Sequence, residues 1–75
     1  MPALEWHDAN PGAQYMVRWA LLAEDMRVVE GCLNHRVVYY IQRRRRRWHS
    51  VGLMYDTLYE ALLYAHRAWG WREEV

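Results

Sequence analysis

The chain contains no lysine and no phenylalanine, a single isoleucine (Ile41), a single cysteine (Cys32) and two prolines. Each shortage closes a possibility. One cysteine cannot build an internal disulfide framework, and its isolation fits a reducing cytoplasm, where the protein is expected to act. No stretch of about 18 apolar residues is present, so no membrane-spanning helix is expected. The first residues carry Glu5 and Asp8 rather than a basic segment, so no secretory signal is expected either. There is no Gly-rich phosphate loop. The dearth of Lys, Phe and Ile is what a GC-rich coding sequence produces.

What is present is concentrated. The 75 residues are expected to form a single domain, 1-75, and a domain of this size hides only about 60% of the surface its unfolded chain exposes. Five Trp and six Tyr supply much of the core, and their number leaves room for a homodimer or for an aromatic patch on a partner. All ten basic side chains are arginine, and five of them form the run Arg43, Arg44, Arg45, Arg46, Arg47, followed by Trp48 and His49. No acidic residue lies between Asn34 and Tyr55, so a net charge of only +1 conceals a strongly polarised chain.

Asn10-Pro11-Gly12 reads as a helix start, with Asn at the N-cap and Pro in the first turn. Tyr15, Trp19, Leu22, Met26, Val29 and Leu33 then recur at spacings of four and three, which predicts one helix face, either core or dimer seam. Gly31 and Asn34 supply a stop. A rival reading makes 15–23 and 26–33 two strands joined at Glu24-Asp25. Arg36 to Gln42 and Trp48 to Tyr55 are rich in Val, Tyr and Trp and read as a hairpin with the arginines at its tip. Matching Val37, Tyr39 and Ile41 to Val51, Leu53 and Tyr55 requires an odd loop, hence a tip of three arginines. Such a tip ordinarily wants glycine in a left-handed position, so it is expected to be strained, longer than it looks or mobile. Asp56 to Glu60 opens a helix, with Thr57 and Glu60 at capping-box spacing, Leu58, Leu62, Ala65 and Trp69 as its buried stripe, and Gly70 as its stop.

The predicted fold is therefore α+β: helix–β-hairpin–helix (αββα), both helices on one face of an antiparallel sheet. A four-stranded meander plus C-terminal helix is the alternative.

Function centres on the arginine run. Five adjacent like charges repel one another, and an anionic partner relieves that repulsion while releasing counterions. Against this stands a plain solvated loop that keeps the hairpin soluble. Tyr40 and Trp48 fall on one side of the hairpin with Gln42, Arg44 and Arg46, an interleaving suited to unpaired bases, while Arg36 and His49 extend the basic surface. The same residue types dominate protein interfaces, so an acidic groove on a nucleic-acid-handling complex is an equal candidate.

Cys32 and His35, with His49 and His66, suggest zinc ligands only weakly, and no metal or cofactor is expected. Cys32 with a histidine lacks a third orienting group, so no enzyme is expected.

The stretch Gly52-Leu53-Met54-Tyr55-Asp56-Thr57-Leu58-Tyr59-Glu60-Ala61, continuing to Tyr64-Ala65, resembles the strand-to-helix ending of AP2 and integrase-type DNA-binding domains, with one extra residue in the spacer. In that family the sheet enters the major groove, which implies a role for Arg43 to Arg47 and Trp48. In size, aromatic excess and single charged knuckle the chain also looks like small phage or mobile-element inhibitors such as anti-CRISPR proteins and polymerase inhibitors. The expectation is a non-enzymatic phage-type inhibitor that engages nucleic acid or a nucleic-acid-handling complex in the host cytoplasm. A dimeric DNA- or RNA-binding regulator is the alternative.

Overall fold

A computed structural model of the chain describes residues 4–13 and 15–73. It shows a five-stranded antiparallel sheet in sequential order, β1 (Trp6–Asp8), β2 (Met16–Ala23), β3 (Met26–Leu33), β4 (Arg36–Arg44) and β5 (Trp48–Tyr55), followed by one helix, α1 (Leu58–Trp69). The expected helix–hairpin–helix is overturned. Residues 15–33 form two strands paired at Ala23 and Met26 across Glu24-Asp25, and a short strand precedes them, so the sheet exceeds the four-stranded alternative as well.

The reason is visible in the pairing. In a strand a step of three changes face while a step of four keeps it, and that is how the supposed helix stripe is distributed. Leu22 and Met26 face α1, while Trp19, Val29 and Leu33 lie in a separate cluster on the opposite face. Tyr15 is exposed, with a left-handed backbone (φ 64°). Register shifts at Met16/Arg18 and Leu21/Ala23 break the two-residue alternation that would have announced strands. Glu30 also disguises β3. It stands on the α1-facing side because Arg18 donates to it at 2.9 and 3.1 Å and the Tyr39 hydroxyl at 2.9 Å.

The turns follow local chemistry. Asn10-Pro11-Gly12 is a turn between β1 and β2, closed by the Ala13 amide donating to the Asn10 carbonyl at 2.9 Å, and no helix starts there. Asn34 and His35 both take positive φ (52° and 63°), the pattern of a two-residue turn whose twist suits the flanking strands.

α1 forms as its sequence predicts. The Thr57 hydroxyl accepts from the Glu60 amide at 3.2 Å, and Gly70 (φ 72°) ends the helix with its amide on the His66 carbonyl at 2.9 Å. Ala61 and Ala65, four residues apart and fully buried, let the helix approach Val28 and Ile41 of the sheet closely. Complete burial of Ile41, Val28 and Val29 contributes about 1.5 to 3 kcal/mol each. The expected helix stripe needs one correction: Trp69 is 44% exposed and lies outside the buried core. Trp71 closes the end of the core instead, its indole N–H donating to the Leu22 carbonyl at 3.2 Å.

β5 departs from simple pairing. Ile41 faces Val51 and Tyr39 faces Tyr55, so Gly52, Leu53 and Met54 bulge away from the ladder. Leu53 is therefore 70% exposed and is no partner of Ile41 or Tyr39 in the core, and Val37 is exposed as well. Among the described residues no helix is long and apolar enough to cross a membrane.

Candidate functional site

β4 and β5 pair through Arg43 with His49 and Arg44 with Trp48, which leaves Arg45, Arg46 and Arg47 as a three-residue tip. The Arg45 amide donates to the Arg47 carbonyl at 3.1 Å, and none of the arginines takes a positive φ. The tip turns without the left-handed residue that three-residue hairpin tips ordinarily use, so the expectation of backbone strain does not hold.

The five arginines are not equivalent. Arg43 points to the α1 side, where its Nη2 donates to Asp25 at 2.7 Å and its guanidinium lies 4.4 Å from the centre of the Trp69 ring. Its Nε is buried without a hydrogen-bond partner. The Arg44 amide also donates to the Asp25 carbonyl at 2.8 Å, so the β2–β3 turn braces the base of the hairpin. Arg43 thus belongs to the protein's own packing. Arg44, Arg45, Arg46 and Arg47 are exposed, and among the described residues none of their side chains forms an ion pair or hydrogen bond.

Other expected contacts are distributed less simply. Arg36 is exposed but donates to Asp56 at 2.9 Å, and His49 is exposed on the α1-facing side beside Arg43. Tyr40 is 6% exposed and packs with Val29 and Val38, so it offers no stacking surface, and burial raises its hydroxyl pKa. Gln42 is buried too. Trp48 is half-buried and packs against neither apolar cluster.

Trp48 is instead the last member of a stack that crosses the sheet on the face away from α1. His7 stacks on Trp19 with ring centres 4.6 Å apart, and the Arg27 guanidinium lies 5.0 Å from the Trp19 ring and 4.4 Å from the Trp48 ring. The Arg27 Nε donates to the Gln42 side-chain carbonyl at 2.8 Å, which fixes the fork between the two indoles. Partial burial lowers the Arg27 pKa. His7, Trp19 and Arg27 carry no sequence motif, and they come together only through the registers His7 to Trp19, Leu21 to Arg27 and Arg27 to Gln42.

Cys32 is exposed, the His66 ring nitrogen Nδ1 lies 2.9 Å from the Trp71 carbonyl, and among the described residues no three His, Cys, Asp or Glu side chains cluster to hold a metal. An open hollow of about 740 Å³ beside α1 is mostly apolar, lined by Leu4, Trp6, Leu62 and Trp71 among others, with His66, Arg72 and Glu73 among its charged or titratable members. No protein-family model matches the chain, and no curated protein or solved structure matches it either.

Proposed function

We propose that this protein is a non-catalytic binding module that engages nucleic acid through the arginine tip of its β4–β5 hairpin. One observation carries the reading: among the described residues Arg44 to Arg47 stand exposed without carboxylate partners, whereas Arg18, Arg36 and Arg43 are each tied to one. Four adjacent unpaired guanidinium groups at a braced tip form a concentrated positive field, and a phosphate backbone is the polyanion that such a field attracts through counterion release. Guanidinium forks also match phosphate oxygens in two-point contacts.

Titration of affinity for DNA against salt tests this. The expected result is binding at low salt whose logarithm falls linearly with the logarithm of salt concentration, with a slope of about −3 to −4 if each of the four arginines Arg44 to Arg47 meets one phosphate. Absence of binding to duplex and single-stranded nucleic acid at low salt overturns the reading. The tip would then belong in an acidic groove of a nucleic-acid-handling complex, the setting of a small inhibitor.

A further inference from the structure

Among the described residues, the arginine at the middle of the open sheet face has no counter-charge. Arg18, Arg36 and Arg43 each reach a carboxylate, but Arg27 has only the Gln42 carbonyl and two indole faces. Among the described residues its terminal nitrogens have no acceptor, and they are not sealed from solvent. A partly desolvated cation without an anion is costly, and the cation–π contacts offset only part of that cost.

The stack containing Arg27 has a free end. Trp19 is covered on both sides, by His7 and by Arg27, whereas Trp48 is covered by Arg27 on one side only. β5 is an edge strand, so no further strand lies beyond Trp48, and no other ring or guanidinium among the described residues stacks on it. Arg44 stands directly across from Trp48, next to the tip. The face is also free of strand carboxylates. Asp8 and Glu30, the only ones in the strands, lie in register with Arg18 on the α1-facing side.

We infer that the nucleic acid engaged by the tip is single-stranded, with one unpaired base stacked on the outer face of Trp48 and its flanking phosphates on Arg27 and on Arg44 to Arg47. This rests on the tip being a nucleic-acid contact. A duplex keeps its base faces inside the helix and can offer one only by flipping it out, whereas a single strand offers them freely. The bound base extends the His7, Trp19, Arg27 and Trp48 stack by one ring, and a phosphate supplies the anion that Arg27 lacks.

The test is fluorescence anisotropy at low salt with three labelled probes of about a dozen nucleotides, within the usual site size. They are a thymidine single strand, a duplex, and a single strand of abasic sugars with the same number of phosphates. The thymidine strand is expected to bind the unaltered protein at least about fivefold more tightly than the other two, as one stacked base implies. Trp48→Leu, which keeps apolar bulk but removes the aromatic face, is expected to weaken it by about 5- to 150-fold. Trp48→Tyr is expected to stay within about threefold, because any aromatic face accepts a base.

Equal binding of all three probes, or unchanged affinity in Trp48→Leu, overturns the single-strand inference and leaves the tip contact standing. Failure of every probe to bind overturns both. The abasic comparison uses the unaltered protein, so a folding defect in a variant cannot decide the outcome.

Discussion

Arg43 reaches across from β4 to donate to Asp25 in the β2–β3 turn at 2.7 Å, while the backbone of its neighbour Arg44 donates to the carbonyl of the same Asp25 at 2.8 Å. One short acidic turn therefore fixes the point where structural arginine ends and exposed arginine begins. Asp25 is half-exposed, so the side-chain pair is modest. A double-mutant cycle of Asp25→Ala and Arg43→Ala, read by thermal unfolding, is expected to give a coupling of about 0.5 to 1 kcal/mol.

The tip should behave in the opposite way. Arg45→Ala and Arg46→Ala remove exposed side chains without partners, so melting temperature is expected to stay within about 2 °C. Each substitution is expected to reduce the magnitude of the salt slope for nucleic-acid binding by about 1. A stability loss without a change in slope would assign these arginines to the fold rather than to a partner.

Glu30 sets the acid limb of stability. Hydrogen bonding from Arg18, and to a lesser degree from Tyr39, holds its carboxyl below the ordinary glutamate value despite partial burial. The folded state therefore favours the ionised form. The stabilisation is fully present above the unfolded pKa of about 4.3 and is lost as pH falls through the lower folded value. Thermal melts from neutral pH downward are expected to show stability falling below about pH 4.5, with a shallower fall in Glu30→Gln. At neutral pH that variant is expected to melt about 4 to 8 °C lower.

Gly52 and Gly70 share a left-handed backbone but not a neighbourhood. A Cβ at Gly70 meets nothing within 4 Å, whereas at Gly52 it would lie 2.5 Å from Cζ of Tyr64. Gly70→Ala is expected to cost about 1 to 2 kcal/mol, the backbone penalty alone. Gly52→Ala must also displace a half-buried ring, so its cost is expected to reach about 2 to 4 kcal/mol, measured by denaturant unfolding.

The Thr57 cap is a local contribution. Thr57→Ala removes the acceptor of the Glu60 amide and is expected to cost about 1 kcal/mol, with Thr57→Ser retaining most of it.

The order of these residues along the chain was enough to place α1 and the arginine hairpin, because both are specified within a few positions. Thr57 and Glu60 cap one end, Gly70 the other, and the Val- and Tyr-rich runs flank a tip whose odd length follows from side-chain alternation. The run of arginines was likewise apparent as a charge excess without local carboxylates. Residues 15–33 were misleading, because their strand register is broken by bulges and because Glu30 stands on the core side only through Arg18 and Tyr39. Which arginines remain unpaired, why Tyr40 is closed off, and how Arg27 comes to lie between Trp19 and Trp48 depend on the registers that successive strands take up one after another across the sheet. Local propensity carries no record of such placements, since Arg27 on β3 and Trp48 on β5 meet only once the intervening β4 has paired with both strands.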